Sequence, residues 1–156
     1  MLYLILKLVY VAGVVLFLGN ITVGVFWKAY ADRTGNAAIM ASTMDGIIAA
    51  DRIFTIPGVV ILLGGGIATA LVGRIPFLST GWLLWGIIAF IISGLAFGPL
   101  SRAQRRIAVA AHAGNFQEYE ELSKGWNFWG AIALIFPIIA FVVMILKPNL
   151  PAFAPH

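Results

Sequence analysis

Few residues in this chain could do chemistry, and the most promising are three polar side chains, Asn20, Asp51 and Arg52, beside long apolar runs. Asn20 precedes a Gly-Asn pair at 35–36 by as many residues as Asp51 follows it. If the chain turns back at that pair as two antiparallel helices, positions equally far from the turn meet at one height. We therefore expect Asn20 to face Asp51 and Arg52, with Thr55 one helical turn further along.

A second Gly-Asn pair, at 114–115, predicts a second turn, and at equal depth Trp126 and Asn127 would join the same layer. A carboxylate buried without a partner in a membrane is costly, so Arg52 or Asn20 must compensate Asp51. Two interpretations stay open. The layer is either a polar clasp that fixes the register of the helices, or a pocket for a polar head group, a quinone ring or a small anion.

Other kinds of chemistry find little support in the composition. The chain has no cysteine, which excludes disulfides and thiolate ligands. Its two histidines, His112 and His156, lie outside the apolar runs, whereas a membrane haem needs imidazoles at facing positions inside the bundle. We find no catalytic residue and no metal site, predict no resident cofactor, and favour a non-catalytic protein. The alternative to having no cofactor is that the chain binds a lipid or a quinone.

The positive charges give a different kind of candidate. Arg102, Arg105 and Arg106 share one face of a predicted helix because they are spaced three and four residues apart. Folding at 114–115 would bring Arg106 near the level of Glu120 and Glu121. We expect inter-helix ion pairs here, together with contacts to anionic lipids or to a partner protein.

The elements that must position these residues are membrane-spanning helices. The chain of 156 residues is 62% hydrophobic and only 10% charged, against about 25% charged in soluble domains. Four apolar segments, at 2–27, 53–73, 81–100 and 127–146, are long enough to cross a bilayer, which takes about 20 helical residues. The net charge of +4 forms no basic stripe with interleaved aromatics, so a nucleic-acid partner is not expected.

We predict an all-α membrane protein: a four-transmembrane-helix, up-down bundle made of two helical hairpins with cytoplasmic helical extensions. One domain would cover 1–147, with helices at about 2–34, 37–73, 80–113 and 116–147. Each Gly-Asn pair suits a left-handed C-terminal residue followed by an N-cap, and Glu118 completes a capping box after Asn115. Small residues spaced four apart, such as Gly94 and Gly98, predict close helix packing. Residues 148–156 form an extended, proline-rich tail.

The distribution of Lys and Arg predicts the orientation. The two long links between spans hold Lys28, Arg33, Arg52, Arg102, Arg105, Arg106 and Lys124, whereas the opposite side holds Lys7, Arg74 and Lys147. The positive-inside rule therefore places the long links in the cytoplasm. We expect a multi-pass protein of the bacterial inner membrane with both termini in the periplasm.

Several short motifs carry a resemblance to a known family. They are Leu18-Gly19-Asn20, Phe26-Trp27-Lys28, Ala31-Asp32-Arg33-Thr34-Gly35 and Asp51-Arg52-x-Phe54-Thr55-x-Pro57-Gly58, with Trp82 and Arg105-Arg106. Along essentially its whole length the chain resembles the bacterial predicted integral membrane proteins grouped as domain of unknown function 2269. That resemblance implies a membrane-spanning fold and carries no activity with it. In size and helix number the chain is also loosely similar to the four-helix, haem-binding protoporphyrinogen oxidases, but it has Tyr10 where they have a histidine.

The functional prediction rests on two observations: small residues suited to helix packing are present, and no catalytic motif is found. We expect a non-catalytic scaffold or accessory subunit of a larger respiratory or photosynthetic membrane complex. Its partners would be membrane lipids and other membrane subunits, or a second copy of the chain. The alternative is a small carrier or binding protein for a lipophilic or anionic ligand, using the polar layer near the cytoplasmic boundary.

Overall fold

Four long helical rods make up the protein, a computed structural model of which describes residues 1–153 of the 156. Within that range there is no strand. The first hairpin consists of α1 (Leu2–Thr34), α2 (Ala37–Ala50), a π-helical turn (Asp51–Thr55) and α3 (Ile56–Val72). The second consists of α4 (Gly81–His112) and α5 (Phe116–Leu146). Because α2, the π turn and α3 run on without a break, Ala37–Val72 is one rod of 36 residues.

Both predicted Gly-Asn turns are confirmed. Gly35 and Gly114 take φ of 60° and 66°, in the left-handed region that glycine enters without steric penalty. Asn36 Oδ1 accepts from the backbone N–H of Ala38 at 2.9 Å. Asn115 Oδ1 accepts from the N–H of Glu118 at 3.2 Å, and its side-chain amide donates to the Glu118 carboxylate. The caps thus satisfy N–H groups that a helix start leaves without partners.

The helices are long and apolar enough to span a membrane, and their outward faces are apolar too. All four rods qualify as candidate spans, and side chains such as Leu8, Val60 and Leu95 are more than 60% exposed. In water so much exposed apolar surface would be unfavourable, whereas a bilayer solvates it. At about 1.5 Å per residue each rod is on the order of 50 Å long, so it extends beyond the hydrocarbon region. The chain is an integral membrane protein with a four-helix fold.

Glycines allow α1 and α3 to approach closely within the first hairpin. A Cβ built on Gly13 would lie 2.6 Å from the backbone nitrogen of Leu62, and one on Gly58 would lie 3.1 Å from that of Phe17. The sequence pattern pointed to other small residues. Gly94 and Gly98 have nothing within 4 Å of an added Cβ, and neither does Gly64, so these glycines make no close helix packing within the described residues. Four-residue spacing does not say which helix face meets a neighbour.

The two hairpins meet at one end of the bundle and separate at the other. We call the end with the Gly-Asn turns the tip end, and the end with Met1, the 73–80 loop and Lys147 the terminal end. At the tip end α2 packs along α4 around Met44 and Ile107, both fully buried. Towards the terminal end α3 packs on α1 and makes little or no backbone approach to α4 or α5 within the described residues. The terminal half of the bundle is therefore splayed.

The π turn lies where the chain enters α3, immediately before Pro57. Proline has no N–H and its ring clashes with the carbonyl four residues earlier in a regular α-helix. Widening the preceding turn accommodates the ring while keeping the rod continuous. Such π bulges also redirect side chains, and this one contains both Asp51 and Thr55.

The described part of the tail, residues 148–153, has no regular secondary structure and lies against the start of α4. The indole Nε1 of Trp85 donates to the carbonyl of Pro151 at 3.0 Å. A Cβ on Gly81 would lie 1.9 Å from the carbonyl oxygen of Leu150, so this close approach requires glycine. The tail thus packs on its own bundle.

Candidate functional site

The predicted polar layer forms around Asp51, a buried carboxylate held by three neutral side chains. Its Oδ1 accepts from Asn20 Nδ2 at 3.0 Å and from Thr55 Oγ1 at 2.8 Å. Its Oδ2 accepts from Gln104 Nε2 at 2.9 Å. Asn20 also donates to Thr55 Oγ1 at 2.8 Å. We call these four residues the Asp51 cluster; because α1, the π turn and α4 each contribute, it joins the two hairpins.

Arg52 does not belong to the Asp51 cluster. It is exposed and forms no ion pair within the described residues. The expectation that Arg52 or Asn20 would compensate Asp51 is thus met by Asn20, Thr55 and Gln104 and not by the arginine. Arg52 instead lies on the outer face of the π turn, where its side chain is exposed.

Gln104 was missed by the sequence reasoning, although a signal for it exists. It lies on the same helical stripe as Leu100, Ile107 and Ala111, all of which are buried. The arginines of this segment, by contrast, are all exposed. The 3.6-residue period therefore places Gln104 on the inward face, where a polar side chain needs a partner.

Gln104→Leu should lower the free energy of unfolding by about 1–3 kcal/mol, because Asp51 Oδ2 would lose its donor while staying buried. The matched control is Gln117→Leu, since Gln117 is exposed at the start of α5 and should tolerate the change. Equilibrium unfolding in detergent micelles measures both. Equal stability of the two variants would mean that the Asp51 cluster does not hold the hairpins together.

A second polar group surrounds Lys28, which is only 1% exposed. Its ammonium lies 2.8 Å from Asp32 Oδ2 and donates to Ser123 Oγ at 3.0 Å. The same nitrogen lies 4.8 Å from the ring centroid of Tyr119 and 5.3 Å from that of Trp126. Tyr119 also donates its hydroxyl to Asp32 Oδ1. We call these five residues the Lys28 cage.

The Lys28 cage stabilises a cation by three different interactions. Asp32 supplies an opposite charge, Ser123 supplies an acceptor, and the aromatic faces supply cation–π attraction. Asp32 is 38% exposed at its side chain, whereas Lys28 is 2% exposed, so only the carboxylate reaches the surroundings. Because α5 contributes three members, the cage ties α1 to the other hairpin.

Sequence reasoning placed Lys28 among the loop charges and missed its burial. The available signal was its spacing: Lys28 lies seven residues after Ile21 and three before Ala31, and both of these are buried. Asp32, one turn later, supplies the counter-charge. Trp126, predicted to line the polar layer, belongs to this cage, and its indole Nε1 is buried without a partner among the described residues.

The remaining predicted residues lie on the surface. Asn127 is exposed and belongs to neither polar group. Arg102, Arg105 and Arg106 are exposed as well. The expected ion pairs with Glu120 and Glu121 do not form, since the described residues contain only the pairs Lys28–Asp32 and His112–Asp45. Contacts of these three arginines with anionic lipids or with a partner protein stay a prediction.

The histidine at the tip end has a structural contact. His112 Nε2 lies 2.7 Å from Asp45 Oδ2, and this pair links α4 to α2. Both side chains are more than half exposed. His156, the other histidine, lies outside the described residues. Within the described range no group of three or more His, Asp and Glu side chains could hold a metal ion.

A large open space lies in the splayed terminal half, between the hairpins. This inter-hairpin cavity has a volume of about 430 Å³ and is walled by α1, α3, α4 and α5. Its inner end is apolar, with Val14 and Phe17 facing Phe90 and Phe141. Small residues, Gly66, Ala70 and Ala140, line its sides. No residue of the Asp51 cluster or the Lys28 cage lines it.

The polar groups of the inter-hairpin cavity lie towards the terminal end. Tyr3, Lys7, Trp82 and Lys147 contribute to its lining there. Deeper in, Tyr10 donates its hydroxyl to Met144 Sδ at 3.0 Å and Thr69 donates to the carbonyl of Gly65 at 2.6 Å. The hydroxyl hydrogens of Tyr10 and Thr69 are thus both donated within the protein. The cavity is apolar within the bundle and carries its charges at one end.

A smaller space of about 300 Å³ lies between α1 and α2 at the tip end. Asn20 borders it, together with Trp27, Ser42 and Thr43. Asp51 does not line it, because its oxygens are covered by the other members of the Asp51 cluster. This space therefore gives no route to the buried carboxylate.

Of three comparisons with known proteins, one found a match, and it agrees with the membrane fold. No curated protein and no solved structure matches the chain. The family described as predicted integral membrane protein, domain of unknown function 2269, matches residues 4–148. That range contains the Asp51 cluster, the Lys28 cage and nearly all of the inter-hairpin cavity. The chain therefore belongs to this family of integral membrane proteins.

Proposed function

We propose that this membrane protein binds a lipophilic ligand in the inter-hairpin cavity. The cavity carries the proposal: its volume of about 430 Å³ falls within the range of small-molecule sites. Apolar side chains from four helices converge on it, as a hydrocarbon chain or a quinone tail would require. Two polar groups at the other end, the Asp51 cluster and the Lys28 cage, hold the hairpins together and leave this end free to accept a ligand.

This proposal relocates the binding role expected from the sequence. In the carrier alternative, the pocket would be the polar layer of Asn20, Asp51, Arg52, Trp126 and Asn127, which could also be a structural clasp. Its buried carboxylate is occupied by internal donors, and Arg52 and Asn127 point outward. The geometry therefore favours the clasp interpretation for the layer and a ligand site at the opposite end.

A second candidate is the non-catalytic scaffold or accessory subunit of a larger respiratory or photosynthetic complex. The open face of α4 favours it, because Gly94 and Gly98 are exposed with no neighbour. Small residues on a membrane helix allow another helix to approach closely. The approaching helix would belong to another membrane subunit or to a second copy of the chain. A tail held by a partner protein would also favour the scaffold, but residues 148–153 pack on their own bundle through the hydrogen bond of Trp85 with Pro151.

The proposed setting is the bacterial inner membrane, with the tip end in the cytoplasm and both termini in the periplasm. Seven of the ten Lys and Arg residues lie towards the tip end, which the positive-inside rule places in the cytoplasm. The inter-hairpin cavity would then open in the outer half of the bilayer. A ligand could reach it from the lipid phase between the splayed hairpins.

Native mass spectrometry of protein extracted in mild detergent tests both candidates. We expect a single chain with one reproducible added mass of lipid or quinone size. Val11→Trp should remove that mass because Val11 lines the inter-hairpin cavity. Val9→Trp is the matched control, since Val9 is 39% exposed on the other side of α1 and does not line it.

Two outcomes would contradict the ligand proposal. A stoichiometric complex with another protein and no added small mass would favour the scaffold. An added mass that survives equally in both tryptophan variants would mean that the ligand binds elsewhere. Thermal unfolding of both variants checks that a lost mass reflects a filled cavity and not a damaged fold.

A further inference from the structure

The distribution of charge along the bundle is strongly one-sided. All six acidic side chains, Asp32, Asp45, Asp51, Glu118, Glu120 and Glu121, lie in the tip half or at the π turn. The terminal half holds Lys7, Arg74 and Lys147 and no acidic side chain. Its formal side-chain charge is therefore purely positive, which attracts anions.

Two of these cations belong to the inter-hairpin cavity. Lys7 and Lys147 are the only charged residues in its lining, and neither forms an ion pair within residues 1–153. Lys7 projects from α1 on the face that also carries Tyr10 and Val14, both of which line the cavity. An ammonium at the rim of an apolar cavity is placed to pair with the head of a bound amphiphile.

The end of α5 directs the second lysine. Lys147 takes a left-handed conformation with φ of 47°, and its N–H donates to the carbonyl of Val143 at 2.9 Å. Its ammonium lies 5.1 Å from the ring centroid of Trp82, another residue of the cavity lining. A left-handed conformation is uncommon for a residue other than glycine. At Lys147 it accompanies an ammonium group that lies beside Trp82 in the cavity lining.

We propose that the inter-hairpin cavity takes an amphiphile with an anionic head, a carboxylate or phosphate on a long apolar chain, whose head group pairs with Lys7 and Lys147. The inference rests on the proposed ligand-binding function and adds the ligand's charge. The apolar chain would lie between Val14, Phe17 and Phe90. The head would remain at the terminal end, where the two ammonium groups are.

Trp82 provides a direct measurement. Bromine on an acyl chain quenches an indole only at close range, and Trp82 lies beside the proposed position of the head group. A probe with its bromines next to the head, 2,3-dibromostearate, should therefore quench Trp82 in purified protein held in neutral detergent. The methyl ester of the same acid is the uncharged probe, and a dibrominated alkyl phosphate is the phosphate-headed probe. Subtracting the signal of Trp82→Phe removes the contribution of the other tryptophans. We expect saturable quenching with an affinity for the charged probes about tenfold above that for the ester, as expected for a charge-assisted contact.

The lysines are tested by the double variant Lys7→Gln with Lys147→Gln. It should lower the affinity for dibromostearate to that for the ester while leaving the ester's own affinity unchanged. Lys124→Gln, an exposed lysine near the tip end, is the control and should change neither. Whichever charged probe binds more tightly identifies the head group.

The outcomes separate the two proposals. Equal, saturable quenching by acid and ester would overturn the anionic head group and leave the lipophilic cavity in place. Quenching that only rises linearly with every probe indicates partition into bulk detergent, and it would overturn the cavity proposal as well. A preference for the acid that persists in the double variant would overturn the assignment of Lys7 and Lys147.

Discussion

Asp32→Ala is expected to lower the free energy of unfolding by about 2–4 kcal/mol, because it leaves the Lys28 ammonium buried without its counter-charge. The variant also removes the acceptor of the Tyr119 hydroxyl. The effect should fall short of the largest values known for buried pairs because Asp32 is 38% exposed and partly solvated. Equilibrium unfolding in detergent micelles, followed by circular dichroism, measures it.

Two further variants give this prediction its control and its contrast. Asp45→Ala removes the carboxylate of the exposed His112 pair and should cost less than about 1 kcal/mol. Lys28→Met removes the charge but keeps an apolar side chain of similar length, so it should cost much less than Asp32→Ala. If Asp32→Ala and Asp45→Ala were equally stable, the ammonium of Lys28 would have to reach solvent, and the cage would not be closed.

The second large effect is expected at Gly13. Gly13→Ala should destabilise the protein by about 1–3 kcal/mol, the usual cost of overpacking. The added Cβ would lie 2.6 Å from the backbone nitrogen of Leu62 and 2.9 Å from the carbonyl oxygen of Gly58. Backbone atoms cannot rotate away as a flexible side chain can, so α1 and α3 would have to separate.

Gly19→Ala is the matched control on the same helix. An added Cβ at Gly19 meets nothing within 4 Å, and alanine favours a helix over glycine by about 0.8–1.0 kcal/mol. This variant should therefore be neutral or slightly stabilising. Thermal unfolding of both variants in one detergent decides the matter. A stable Gly13→Ala protein would mean that α1 and α3 are further apart than the structure has them.

Together these features assign different roles to the two ends of the bundle. At the tip end the Asp51 cluster, the Lys28 cage and the His112–Asp45 pair each join one hairpin to the other. At the terminal end the hairpins are held by side-chain contacts such as Phe17 with Phe90, whose ring centroids lie 5.8 Å apart. The closed end can therefore keep the fold while the open end takes a ligand.

The membrane-spanning helices and their turns could be predicted from the amino-acid pattern alone. An apolar run of about 20 residues has few alternatives in a bilayer, because only a helix satisfies its own backbone there. Gly35 and Gly114 mark the turns since glycine enters the left-handed region freely and the following asparagine caps the next helix. The meeting of Asn20 with Asp51 followed from counting outwards from the first turn. Each of these features depends on one apolar run or on one turn and its distance along the chain, so the pattern of residues is enough to predict it.

Which side chains face inward, and where open space lies, depends on how the helices pack together. Lys28 and Arg52 are both cations near the same predicted boundary, yet one is caged and the other is exposed. Gly94 and Gly98 have the spacing of a packing motif and meet nothing, while Gly13 and Gly58 make the close contacts. The rotation of each helix about its axis depends on all its neighbours at once. The inter-hairpin cavity depends on how two hairpins diverge, a relation between distant segments that no local pattern encodes.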